Sequence, residues 1–232
     1  IKEFENLTHR PDFVLEKTMK HKQSINSLIY KIINESQKII NSYDCKVIIQ
    51  GDAASSFAVA LSAFNEGKEV IHVEAGLRTH NLRSPFPEEG FRKMISHISN
   101  IHFCPTIKSV ENLKNEGITE NVHLVGNTIV DSCAQIIDKG ESSDYLNELI
   151  SSNDDYYLCT LHRRENINNF QSMWEQLNQI SENKTIIYIK HPSVPNSEDF
   201  LGKNIIKLDP MTYQDMVFAC LLYTSPSPRD SD

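Results

Sequence analysis

The sequence predicts an α/β fold made of doubly wound parallel sheets in two successive units. Two observations carry this: short β-rich runs alternate with amphipathic helical stretches along most of the chain, and one polar stretch near residues 141–155 interrupts the rhythm. From Ser24 to Tyr43, the residues Ile25, Leu28, Ile29, Ile32, Ile33, Ile39 and Ile40 recur at helical spacing, giving one apolar face. Lys46 to Gln50 follows as a short β-rich run. A helix over Ser55 to Glu66 is closed by Gly67, a residue that readily takes the left-handed backbone of a helix end. Then come a strand over Glu69 to Glu74, a loop, a helix from about Glu88, a strand over Ile101 to Cys104, and a helix over Ser109 to Glu116 closed by Gly117. A strand over Val122 to Val125 and a helix opened by Asn127 or Thr128 complete the first unit, expected to span 1–140.

Residues 141–155, just after Gly140, are rich in Ser, Asn and Asp around a short amphipathic piece, and read as a linker. A second alternation fills 156–219: Tyr156 to Leu161, a helix from about Asn168 to Ser181, Thr185 to Ile189, Ile205 to Leu208, and an interrupted helix from Thr212. Residues 220–232, CLLYTSPSPRDSD, break with this pattern and resemble a translated sequencing adaptor, so they are expected to be a non-native tail.

Composition excludes several classes. No run of 18 or more apolar residues is present to span a bilayer, so no membrane partner is expected. A net charge of −8 argues against broad nucleic-acid binding while leaving room for a local pocket that holds a phosphorylated small molecule. Five scattered cysteines without a C-x-x-C spacing suggest neither a disulfide frame nor a metal site, and point to a reducing, cytoplasmic setting.

In open parallel sheets, ligands sit beyond the carboxyl ends of the strands. Asp52, Glu74, Cys104-Pro105-Thr106, Gly126-Asn127, His162 and His191 all lie at or just after the ends of expected strands, and Glu88 opens an expected helix. The segment His72-Val73-Glu74-Ala75-Gly76-Leu77-Arg78-Thr79, with Ser84-Pro85-Phe86-Pro87-Glu88-Glu89 and Arg92 close behind, holds more charge than a connection needs. Each residue alone has a structural reading: Glu88 and Glu89 suit the positive end of a helix, and Glu88 with Arg92 suits an i,i+4 surface pair. Their density together reads as a site. Asp52, Glu74 and Glu88 are expected on one wall of a cleft between the two units, with His162 and His191 on the other.

These motifs resemble the non-hydrolysing UDP-N-acetylglucosamine 2-epimerases. The matching pieces are Gln50-Gly51-Asp52, the His72 to Thr79 and Ser84 to Glu89 runs, His102-Phe103-Cys104-Pro105-Thr106, Gly126-Asn127-Thr128, and His162-Arg163-Arg164-Glu165-Asn166. The resemblance runs from about Pro11 to Ala219. It implies a GT-B-like fold of two Rossmann-like domains with a nucleotide sugar between them, a homodimer, no cofactor, and a role in surface-polysaccharide precursor synthesis. It further implies inversion at C2 of UDP-N-acetylglucosamine to UDP-N-acetylmannosamine, by elimination of UDP and re-addition. Carried over by position, Asp52, Glu74, Glu88 and His162 would be catalytic, and Arg92, Arg163, Arg164, His191 and Asn127 would bind substrate. The family's phosphate-binding first strand would precede Ile1 and its uridine-gripping segment would follow Ala219. The chain as given is therefore expected to bind UDP weakly and show no measurable epimerisation. The competing readings are a hydrolysing relative, an epimerase of acylaminated UDP sugars, and a non-catalytic nucleotide-sugar-binding module.

Overall fold

The computed structural model describes residues 11–15, 23–140, 142–152, 156–161, 170–190 and 202–221. It divides into two compact units, 1–128 and 129–232. The fold is α/β and GT-B-like, with a separate parallel sheet in each unit.

In the first unit, α1 (Ile25–Asn41) is started by Ser24, whose hydroxyl accepts from the Ser27 N–H and so satisfies one of the orphan donors of the first turn. Strands β1 (Val47–Gln50), β2 (Val70–Val73), β3 (Ile101–Cys104) and β4 (Val122–Leu124) lie side by side in sequence order, all parallel. Helices α2 (Ala54–Asn65), α3 (Glu88–Ile98) and α4 (Ile107–Asn115) are the crossovers that such parallel neighbours require. The register pairs Ile49 with His72 and His72 with His102, so these three side chains share one face of the sheet. On that face Ile49 and Val70 meet Ile40 of α1, Ala60 and Ala63 of α2, and Phe91 and Ile95 of α3 in one apolar cluster. Phe57 stacks on Phe91 with ring centres 4.9 Å apart, fixing α2 against α3. Ile48, on the other face of β1, is 66% exposed.

Gly67 and Gly117 stand just beyond α2 and α4 at φ of 69° and 82°, the left-handed ends that the sequence anticipates. The β2 expectation ran one residue too far, because Glu74 leaves the strand with a positive φ. The α4 expectation began two residues late, because Thr106 caps the helix by accepting from Ser109 N–H.

In the second unit, α5 (Thr128–Lys139) and α6 (Asp144–Ser151) precede a three-stranded parallel sheet of β5 (Tyr156–Thr160), β6 (Thr185–Ile189) and β7 (Ile205–Leu208). Helix α6 occupies the polar stretch expected as a linker. Helix α7 (Phe170–Ser181) crosses from β5 to β6, and Trp174 meets Tyr188 edge to face with centres 4.9 Å apart. Helix α8 (Tyr213–Leu221) continues through Cys220 and Leu221, two residues into the stretch expected as non-native; the rest of that stretch lies outside the described residues. Among the described residues no helix is long and apolar enough to cross a membrane.

Candidate active site

The site residues of the first unit follow from where β1 and β2 end. The β ladder continues one step past each strand, with Gly51 N–H donating to Val73 O at 3.1 Å and Ala75 N–H to Phe103 O at 3.0 Å. Gly51 has φ of 73°, which turns the chain toward α2 and places Asp52 just before that helix. Glu74 has φ of 68°, uncommon for a residue with a side chain and costly unless its surroundings impose it. Its Oε2 lies over Gly51, 3.6 Å from where a β-carbon there would stand. The two strand-end turns that carry Asp52 and Glu74 thus lie side by side.

Four fastenings hold the loop from Glu74 to His80. Ala75 joins β3 as above. Asn112 donates its amide to Gly76 O at 3.0 Å. Gly76, at φ of 82°, passes so close to the Ser109 carbonyl that no β-carbon fits. Arg78, whose side chain is fully buried, donates from Nε and Nη2 to the two oxygens of Glu116 at 2.9 and 2.7 Å, and also reaches Leu77 O and Ser96 Oγ. The Arg78 bonds hold the Glu116 carboxyl below the ordinary range against the upward push of burial.

The fourth fastening is Glu89. It is fully buried, accepting from Thr79 N–H (3.0 Å) and Arg92 Nη1 (3.2 Å) on Oε2 and from His80 N–H (3.1 Å) on Oε1. Burial pushes its pKa up, and these donors outweigh burial, so it is held below the ordinary carboxylate range. Arg92 turns its other edge to Asp52, with Nε and Nη2 each 2.6 Å from Oδ2. Beneath the site, buried His72 sits 3.1 Å from Gly51 O through Nε2. A carbonyl only accepts, so Nε2 carries the hydrogen. Burial pushes His72 down to about 4, and His72 is neutral at pH 7.

Of the residues singled out from sequence, the structure brings together Asp52, Glu74 and Arg92. Glu88 opens α3, half-buried, and Asn127 lies between β4 and α5. His162, Arg163, Arg164 and His191 lie outside the described residues. Among the described residues no group of His, Cys, Asp and Glu could hold a metal ion. The sequence counts Glu89 in the charge density of the segment, with a helix-dipole role as the alternative, but assigns neither it nor Arg78 a role of its own in the site. A signal for Glu89 was available: residues 89, 92 and 96 recur at three and four on α3, a stripe that faces the sheet rather than water.

The sequence model of the family described as UDP-N-acetylglucosamine 2-epimerase matches residues 2–221. The UDP-N-acetylglucosamine 2-epimerase of Campylobacter jejuni is 33% identical over 230 residues, covering 90% of this chain and 60% of that protein. The enzyme of the same name from Escherichia coli K12 is 32% identical over 226 residues, with the same two shares. The crystal structure of UDP-GlcNAc 2-epimerase from Neisseria meningitidis bound to UDP-GlcNAc superposes with a TM-score of 0.75 at 30% identity, over 86% of this chain and 58% of that one. The chain thus spans about three fifths of the length of these relatives. With a match along nearly its whole length, the chain belongs to the UDP-N-acetylglucosamine 2-epimerase family.

Proposed function

We propose that the whole protein carrying this chain inverts C2 of UDP-N-acetylglucosamine to give UDP-N-acetylmannosamine, without net hydrolysis. The observation that carries this reading is the juxtaposition of the two strand-end turns, with Glu74 over Gly51 beside an Asp52 gripped by Arg92. The Neisseria meningitidis relative, solved with UDP-GlcNAc, supports the substrate class.

The reaction needs what such a site can offer. The C2 hydrogen is weakly acidic, so a positioned carboxylate must take it as the C1–O bond breaks and the electron pair leaves with UDP. That step yields a 2-acetamidoglucal. Re-addition of UDP then requires a proton delivered to C2 from the opposite face, hence a second acid. Asp52, Glu74 and Glu88 are assigned to these transfers, and His162 to the leaving diphosphate. Arg163, Arg164, His191 and Asn127 are assigned to substrate binding. Arg92 is occupied by two carboxylates, so its positive charge acts on the sugar by way of Asp52. The proposal extends to a cytoplasmic homodimer serving surface-polysaccharide synthesis. Cys45, Cys104, Cys133, Cys159 and Cys220 are all unbridged, which suits a reducing compartment.

The test is product analysis by NMR on the full-length protein supplied with UDP-N-acetylglucosamine. UDP-N-acetylmannosamine should accumulate to equilibrium, and Asp52→Asn should cut turnover by roughly 100-fold or more while UDP still binds. Stoichiometric free N-acetylmannosamine and UDP would instead support the hydrolysing reading.

A further inference from the structure

We infer that Glu89 is a positioning residue of the site, the clamp that sets Asp52 and the loop leaving Glu74 in one fixed relation. The inference deepens the function proposed above and rests on it.

Arg92 divides its fork between two carboxylates. Nε and Nη2 go to Asp52, and Nη1 goes to Glu89. With one edge anchored on a fully buried carboxylate, the guanidinium plane has little freedom, so Oδ2 of Asp52 is held at a defined point. The same Glu89 accepts the backbone N–H groups of Thr79 and His80, the far end of the loop that starts at Glu74. One buried charge therefore ties together the supports of both strand-end carboxylates.

The chemistry of this pocket selects a carboxylate. Three of the groups aimed at Glu89 can only donate, two backbone amides and one guanidinium N–H, and the Thr79 hydroxyl adds to them in holding its charge. An isosteric amide would turn an NH2 toward donors and leave one bond unmade, and Arg92 would keep only Asp52 as its anion. Asp52 and Arg92 would then shift as a pair. Catalysis is sensitive to such displacements, since a misplacement near 1 Å costs on the order of 100-fold in rate.

The experiment is steady-state kinetics of Glu89→Gln in the full-length protein, alone and combined with Asp52→Asn, with Arg92→Lys as the second probe. Lysine keeps the charge and cannot bridge two carboxylates with a planar fork. Glu89→Gln should lower kcat about 10-fold or more, with KM changed less than about threefold. In the Asp52→Asn background it should add less than about threefold, because the two residues act as a unit. Arg92→Lys should reproduce the kcat loss even where Glu89→Gln folds poorly. Losses that multiply, or a lower Tm with kcat unchanged per folded molecule, would overturn the inference. If the wild-type protein does not turn over the sugar, the functional reading fails by itself. The clamp is then judged by hydrogen exchange at the amides of Thr79 and His80 and at Arg92 Nε. Exchange about 10-fold faster in Glu89→Gln supports it, and unchanged exchange overturns it.

Discussion

Arg92 donates from Nε to Oδ2 of Asp52 at 2.6 Å, with Nη2 in ion-pair contact at the same distance from that one oxygen, and so leaves Oδ1 outside the pair. A carboxylate held by one oxygen is fixed in place while its other oxygen stays available for proton transfer. The two partners differ in environment, since the Arg92 side chain is 18% exposed and that of Asp52 is 29% exposed, whereas Glu89 behind them is fully buried.

That asymmetry predicts unequal stability losses. Asp52→Asn should cost at most about 1 kcal/mol, because a partly solvated Arg92 keeps Glu89 as its partner. Arg92→Leu should cost about 3–5 kcal/mol, because it strands the buried Glu89 charge. Urea unfolding of the two variants measures the difference, and equal losses would show that Glu89 does not depend on Arg92.

Gly76→Ala should destabilise the first unit by more than about 3 kcal/mol, because the new methyl group meets backbone and φ is 82°. Gly67→Ala, where the backbone is also left-handed but no atom lies near, should cost less. Comparing the two by chemical denaturation separates the close approach from the backbone strain they share.

The pair of fully buried Arg78 and partly exposed Glu116 should behave as an intramolecular brace with only modest dependence on salt. Arg78→Ala should cost about 2–3 kcal/mol, since it removes a buried guanidinium with its bonds to Glu116, Leu77 and Ser96, while partly exposed Glu116 keeps Lys93. A double-mutant cycle with Glu116→Ala should show strong coupling. Additive losses in that cycle would mean that the pair contributes only through packing.

How legible these features were in the sequence depended on whether a local rule governed them. Strand and helix order followed from hydrophobic period, and the ends of α2 and α4 from Gly67 and Gly117. Asp52 and Glu74 are visible in the sequence as charge at strand ends, and Arg92 as charge on the helix that follows. The division of labour between neighbours was not: Glu88 and Glu89 are chemically identical, and only the rotation of α3 decides which is buried. Arg78 and Glu116 are 38 residues apart, and nothing local to either announces the other. The positive φ of Glu74 was equally hidden, because it is imposed by the tertiary bonds of Ala75 and Gly76 rather than by residue type.

Acidification should destabilise the first unit through His72. Its folded pKa is depressed by burial to about 4 from 6.5, so the unfolded chain takes up the proton first. Stability from this group is full above pH 6.5 and is lost as pH falls from 6.5 toward 4, by on the order of 3 kcal/mol in total. Buried His102 is shifted down for the same reason and acts in the same direction. Unfolding free energies measured across this window should flatten in His72→Gln. An unchanged slope would show that His72 does not carry the effect.

The central claim is that the site epimerises by breaking and remaking the C2–H bond, and the direct measurement is turnover of the full-length protein in deuterated water. In the proposed mechanism the base that removes the C2 proton is not the group that returns one to the opposite face, so that hydrogen would exchange with solvent. Deuterium should appear at C2 of the UDP-N-acetylmannosamine formed, with only traces of free UDP. Product that keeps its original hydrogen at C2 would contradict the elimination mechanism assigned to Asp52, Glu74 and Glu88.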